Sequence, residues 1–273
     1  MNPSTAKNDV TQEDLSRYLR LAKSAAIEAG KLLVDKLGKV DVQEKNPGDF
    51  VTQADIAAQA LIHQMIMSQC PDHSFLGEED EDHSAERHSE FCWIVDPLDG
   101  TTNFIHALRS FSVSIALQYR KEMIVGCVYD PLLDEMYAAS IGGGATLNDQ
   151  PIAASGAISN KGALICVSLP SGVDRDSPAI KRLVNVLCNS PATVRRLGST
   201  ALNLCFVACG RLDAYWSTSA KIWDVAAGIL IMQEAGGIIV AVDGSPFEIS
   251  KIKFVAASTT AMADELISYM DIV

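Results

Sequence analysis

Residues 92–104 read Cys92-Trp93-Ile94-Val95-Asp96-Pro97-Leu98-Asp99-Gly100-Thr101-Thr102-Asn103-Phe104. The four leading residues make a short apolar strand that delivers Asp96 to its end. Pro97 lacks an N–H and stops the ladder there, and Asp99 follows three residues after Asp96. The turn can therefore aim both carboxylates, and the Leu98 carbonyl between them, at one point. Oxygen donors of this kind suit hard cations such as Mg²⁺. Gly100 and Thr101 then open a helix whose free N–H groups favour phosphate. Asp-Pro and Asp-Gly are by themselves ordinary turn dipeptides, but the string is longer than a turn requires.

Upstream, Leu15, Leu19, Ala22, Ala26, Ala29, Leu33 and Leu37 recur three and four apart. That spacing predicts an amphipathic helix of about 25 residues with Thr11 as N-cap. A second helix is expected after Thr52, with Ile56, Ala60, His63 and Met67 along one side. Downstream, 111–119, 123–129 and 135–139 read as successive antiparallel strands, with Gly142-Gly143-Gly144 and Asn148-Asp149 as turns. From Gly162 strands (163–169, 212–216, 238–242, 254–257) alternate with helices (177–187, 199–209, 224–234, 262–270). This order predicts an α+β or layered α/β fold. Two halves, 1–150 with most of the candidate carboxylates and 151–273 with Asp224, are expected to form one continuous globular unit.

The chain has 273 residues, 48% hydrophobic and 21% charged, which is ordinary for a globular protein and excludes disorder. Its longest unbroken apolar run, 204–209, is six residues, against roughly 20 for a membrane-spanning helix. The polar start lacks the apolar centre of a secretion signal. Seven cysteines, an odd number with no CxxC, suit reduced and mostly buried thiols. A cytoplasmic protein is expected. With 22 Lys+Arg against 34 Asp+Glu the net charge is −12, which argues against nucleic acid as partner and against a nuclease. No Lys-Ser/Thr follows the glycine triplet, so a P-loop is not supported. The five histidines lack zinc spacing, and no Gly-x-Ser-x-Gly or Cys/His pair suggests a covalent nucleophile. An anionic substrate would have to be drawn in by divalent cations.

Asp96-Pro97-Leu98-Asp99-Gly100-Thr101-Thr102-Asn103-Phe104 closely resembles the metal-binding signature of the inositol monophosphatase family. Trp223-Asp224-Val225-Ala226-Ala227-Gly228 resembles that family's second signature, and Gly77-Glu78-Glu79 after Phe75-Leu76 a third element. Their order and separation fit as well, so the resemblance covers nearly the whole chain. It implies an αβαβα sandwich, a phosphomonoesterase acting through metal-activated water without a phosphoenzyme, inhibition by lithium, and a homodimer. It implies two or three Mg²⁺ per site, with Mn²⁺ able to substitute. Glu78, Asp96 and the Leu98 carbonyl would hold the first ion, Asp96, Asp99 and Asp224 the second, and Glu78 would contribute to a third. Thr101, helped by Asp55, would orient and deprotonate the attacking water, and the Gly100 and Thr101 N–H groups would bind phosphate. Some of these residues have local competitors. Asp55 stands at capping-box distance from Thr52, Asp224 suits a helix N-cap, and Glu79 to Asp82 read as a solvated acidic face.

Substrate choice is read from the other end of the chain. Where inositol phosphatases carry a Glu against the sugar-alcohol hydroxyls, the corresponding residue here is Ser217, beside Asp224 on the substrate side. Arg195-Arg196-Leu197-Gly198-Ser199-Thr200-Ala201 resembles the family's substrate-side loop, with Thr200 where Ala is common. Lys45, Arg195 and Arg196 are candidates for holding a second anionic group. Inositol 1-phosphate leads as substrate. Alternatives are 3′-phosphoadenosine 5′-phosphate, fructose 1,6-bisphosphate and histidinol phosphate. A regulatory scaffold that binds RNA or a transcription partner is the rival from another class. The intact set Asp55, Glu78, Asp96, Asp99, Thr101 and Asp224 speaks against a scaffold without catalysis.

Overall fold

In the computed structural model, residues 10–39, 42–46, 49–80, 89–170 and 172–270 are described, with the backbone alone for those between 42 and 51. Helix α1 (Gln12–Lys36) has the expected length and cap. Thr11 Oγ1 accepts from the Asp14 N–H, and the Asp14 carboxylate accepts from the Thr11 N–H. A hairpin of β1 (Val42–Asn46) and β2 (Asp49–Thr52), not anticipated from sequence, leads to α2 (Gln53–Gln69). The inward face of α2 is not the expected one. Ala54, Ala58, Ile62 and Ile66 are buried, whereas Ile56, Ala60 and His63 face outward. Two polar residues, Asp55 and Gln59, share the buried face, so the apolar pattern alone did not mark it.

Strands β3 (Ser74–Gly77) and β4 (Phe91–Asp99) lead into a short helix, α3 (Thr101–Ile105). Then follow β5 (Ser112–Tyr119), β6 (Glu122–Asp130), β7 (Glu135–Ser140), β8 (Ala145–Leu147) and β9 (Gln150–Pro151). The strands β3 to β9 form one seven-stranded sheet in chain order, parallel at β3–β4 and antiparallel beyond. The rest of the chain runs β10 (Leu164–Ser168), α4 (Pro178–Asn189), β11 (Thr193–Arg195), α5 (Thr200–Ala208), β12 (Ala214–Ser217), α6 (Ile222–Glu234), β13 (Ile238–Ala241), β14 (Phe254–Ala257) and α7 (Thr260–Met270). Its five strands lie in the order β11-β10-β12-β14-β13, with β10 parallel to both its neighbours and β14 antiparallel to both of its own.

Successive strand residues point to opposite faces, and three cores result. Trp93 and Val95 pack with α1 and α2. Cys92 and Ile94 face α5 and α6, and Tyr215 and Phe254 of the smaller sheet close the same core from its far side. Ala214, Trp216 and Val255 pack with α7 and with Val186 of α4. The layers are thus α1/α2, large sheet, α5/α6, small sheet, α4/α7: the expected αβαβα sandwich. Helix α6 crosses β6 so closely that a Cβ on Gly126 would lie 2.8 Å from the Ala227 carbonyl oxygen. That contact seats the middle of α6 over the large sheet. At its other end the Glu234 carboxylate accepts from the Gly142 and Gly144 N–H groups, each at 2.8 Å. All seven cysteines are free, and five are buried. No helix among the described residues is long and apolar enough to cross a membrane.

Candidate active site

Pro97 does not end β4. The strand runs on to Asp99, and between the pairs Asp96–Ser114 and Asp99–Ser112 it carries one more residue than β5. A bulge is where a residue without an N–H is tolerated. It bends the strand so that the Asp96 carboxylate accepts from the Leu98 N–H at 2.9 Å. Gly100 follows with φ +100°, a left-handed conformation that glycine adopts without cost, and α3 begins at Thr101. The Thr101 hydroxyl stands 3.1 Å from the Leu98 carbonyl oxygen and 3.3 Å from Asp55 Oδ1, donating to one or the other.

Asp55 caps α2 and also faces Thr101. One oxygen accepts from the Thr52 N–H (2.8 Å) and hydroxyl (2.5 Å), closing the capping box of α2, while the other faces Thr101. Burial, with help from nearby Glu79, pushes its carboxyl up to about 6 against the Thr52 hydrogen bonds. Glu78 is set beside Asp96 by the parallel β3–β4 pairing, its N–H donating to the Val95 carbonyl at 3.0 Å. Glu79 and Asp80 are half-buried rather than fully solvated. Asp80 accepts from Gln59 Nε2 and the Gly77 N–H, and Gln59 Oε1 accepts from the Glu79 N–H. Glu81 and Asp82 lie outside the described residues.

Asp99 is bound at the start of α5. Its carboxylate accepts from the Ser199 hydroxyl at 2.5 Å and from the N–H groups of Ala201 (2.7 Å) and Thr200 (3.2 Å). Burial raises its carboxyl to about 6 against those bonds. Asp224 is not the N-cap of α6 but its third residue, and it accepts from the N–H of the N-cap, Lys221, at 2.8 Å. Ser114, paired with Asp96 across β4–β5, donates to the Trp223 carbonyl and so ties the start of α6 to the bulge. Asp96 is held far above the carboxylate range by burial and then by Glu78, Asp99 and Asp224. Asp224 is raised likewise by burial, Asp99 and Glu78.

Two expected substrate contacts, Arg195 and Ser217, make only local side-chain hydrogen bonds among the described residues. Arg195 is exposed on the edge strand β11, its guanidinium donates to the Val194 carbonyl at 3.0 Å, and it is not among the charges acting on the carboxylates. Ser217 ends β12 fully buried, its hydroxyl accepting from the Ser219 N–H at 3.4 Å. Arg196 donates to the Leu169 carbonyl, and the Lys45 side chain lies outside the described residues. Sequence reasoning assigned nothing to Asn103, whose amide bridges the carbonyls of Ser110 (2.7 Å) and Leu197 (2.8 Å). It also missed Ser199 as the partner of Asp99, although Gly-Ser before an apolar run is a readable N-cap signal.

The sequence model of the inositol monophosphatase family matches residues 14–273. The chain belongs to this family. It is a phosphatase of the inositol monophosphatase type, and the family is in general metal-dependent. The chain is 40% identical over 261 residues to the inositol-1-monophosphatase of Synechocystis sp., covering 93% of this chain and 89% of that protein. It is 38% identical over 249 residues to the Nus factor SuhB of Pseudomonas aeruginosa (88% and 91% covered). To the fructose-1,6-bisphosphatase/inositol-1-monophosphatase of Aquifex aeolicus it is 37% identical over 243 residues (88% and 91%). The crystal structure of extragenic suppressor protein suhB from Bartonella henselae superposes with a TM-score of 0.87 at 34% identity, covering 93% of this chain and 98% of that one.

Within this inositol monophosphatase fold the carboxylates are suited to hard divalent cations by their chemistry. They are all-oxygen donors, and they repel one another. None of the three aspartates is ion-paired with a described basic side chain. Among the described residues, however, no three acidic, His or Cys groups close to metal-ligating spacing. The expected convergence on one point is therefore electrostatic rather than a finished coordination shell. Each aspartate accepts from a backbone N–H or a hydroxyl group: Asp96 from Leu98, Asp99 from Ser199, Thr200 and Ala201, and Asp224 from Lys221.

Proposed function

We propose that the chain hydrolyses a small phosphate monoester, with myo-inositol 1-phosphate the leading substrate, using two or three Mg²⁺ that Mn²⁺ can replace. The observation that carries this reading is the set of three carboxylates acting on buried Asp96, beside the Thr101–Asp55 contact. Glu78, Asp96, the Leu98 carbonyl, Asp99 and Asp224 would hold the cations. When bound, the cations supply positive charge for the phosphate and lower the pKa of a water. Thr101 Oγ1 orients that water, and Asp55 Oδ1, its carboxyl raised to about 6, receives the proton. The water oxygen bonds to phosphorus as the ester P–O bond breaks, the leaving alkoxide takes a proton from solvent water, and Asp55 returns its own proton to solvent. The Gly100 and Thr101 N–H groups bind the phosphate oxygens, and Asp224 also faces the substrate. The reading extends to lithium inhibition and a homodimer, both inferred from the family.

Phosphate release is the test, measured with Mg²⁺ and with EDTA across inositol 1-phosphate, fructose 1,6-bisphosphate, 3′-phosphoadenosine 5′-phosphate and histidinol phosphate. Preference for inositol 1-phosphate, lost in EDTA, is the expected result, and no turnover on any of the four overturns the reading. The name of the Pseudomonas relative, a Nus factor, supports a second reading in which the chain also binds a transcription partner. A pull-down that recovers no such partner counts against it.

A further inference from the structure

A cavity of about 610 Å³ lies between the 218–221 segment and the 241–253 loop. That is within the size range of small-molecule sites. The segment forming one wall joins Ser217 to α6, and its last residue, Lys221, donates its N–H to the Asp224 carboxylate. Four residues span at most roughly 14 Å, so the whole wall lies close to the candidate site. The lining includes Lys221, Lys251, Lys253, Asp243 and Glu248.

The two acids are already engaged. Asp243 accepts from the Ser245 N–H and hydroxyl, and Glu248 pairs with Lys251 at 3.2 Å. Lys221 and Lys253 have no ion pair among the described residues. Thr218, on the same wall, has a hydroxyl without a hydrogen-bond partner among those residues. The Lys221 ammonium also acts on the Asp224 carboxylate, so in a chain of net charge −12 the cavity wall carries positive charge towards the phosphatase site, with Lys253 the second ammonium beside it.

We infer that this cavity is a second anion subsite, which takes the distal phosphoryl group of a bisphosphorylated substrate while the scissile phosphate lies at the carboxylates. The inference rests on the phosphatase reading above and adds bisphosphorylated esters beside the leading monophosphate. It also moves the second-anion role away from Arg195 and Arg196, whose guanidiniums donate to backbone carbonyls. Lysine suits this task as a point charge that needs no fixed fork geometry.

The test compares the wild-type chain with Lys221→Met/Lys253→Met and with the charge-matched control Lys36→Met/Lys161→Met. Fructose 1,6-bisphosphate and inositol 1-phosphate serve as probes. Calorimetric titration with fructose 1,6-bisphosphate in EDTA is run in every case. The subsite predicts about tenfold weaker binding in Lys221→Met/Lys253→Met and no change in the control. With Mg²⁺, the ratio of kcat/KM for the bisphosphate to that for the monophosphate should fall about tenfold, through KM. Equal bisphosphate affinity in all three proteins, no binding to the wild type in EDTA, or an equal loss in the control, overturns the subsite. If the wild type hydrolyses neither probe, the phosphatase reading fails by itself, and the calorimetric comparison still decides the cavity.

Discussion

The two sides of the site are built by opposite means. The 96–101 turn is a bulge at the end of a buried strand, and its carboxylates are placed by backbone N–H groups, a capping box and the start of a distant helix. The 195–221 side is a set of loop and strand-end residues, with Arg195 exposed and bonded to its own neighbour and Ser217 fully buried at the end of β12. One side holds charge against repulsion and has little freedom to vary. The other has room for different polar groups and so suits the choice of substrate. The difference suggests that reaction type and specificity are separable in this chain.

The largest expected effect is on the carboxylate side. Asp96→Asn should lower phosphate release about 10³-fold, because Asp96 is the residue on which the other three carboxylates act. Near-normal turnover would leave Asp96 outside the chemistry. Thr101→Ala should reduce kcat about 10²-fold with KM little changed, whereas an effect confined to KM would make Thr101 a binding residue only. The pH dependence of stability sharpens the same contrast. Asp55 and Asp99 are raised from 3.8 to about 6 in the folded chain. The folded state therefore holds protons that the unfolded state releases, and the stabilisation present below about 4 is lost as pH rises to 6. In EDTA the melting temperature should fall across that window, by an amount equivalent to about 3 kcal/mol per group, and Mg²⁺ should restore it at neutral pH. A flat profile contradicts the electrostatic account. The smallest effect is expected for Ser199→Ala. Removing the hydroxyl on Asp99 should weaken Mg²⁺ binding about tenfold and leave KM for inositol 1-phosphate at saturating Mg²⁺ nearly unchanged.

Legibility in the sequence follows the same division. The apolar spacing of α1 and its Thr11–Asp14 cap are local signals, and they match the structure closely. So do the antiparallel strands β5 to β7, whose alternation and turns are local too. The face of α2 was misread because buried Asp55 and Gln59 interrupt its apolar pattern. The hold of Ser199 on Asp99 spans 100 residues of chain, and no local pattern announces such a contact. Pro97 marked the right place with the wrong consequence, since a bulge lets β4 continue through it. The position of Ser217 was found by counting along the chain, and counting carries no information about what covers a side chain.

Melting of wild type and Asp96→Asn at neutral pH, each in EDTA and in Mg²⁺, tests the electrostatic account most directly. In EDTA the variant should melt above the wild type, because an amide at this position keeps an acceptor for the Leu98 N–H and is neutral at every pH, whereas the wild-type carboxyl must either take up a proton that the unfolded chain releases or ionise against three neighbours. Mg²⁺ should raise the wild-type melting temperature and leave the variant nearly unmoved. A variant that melts below the wild type in EDTA, and responds to Mg²⁺ as the wild type does, would contradict the claim that these carboxylates are assembled for cations.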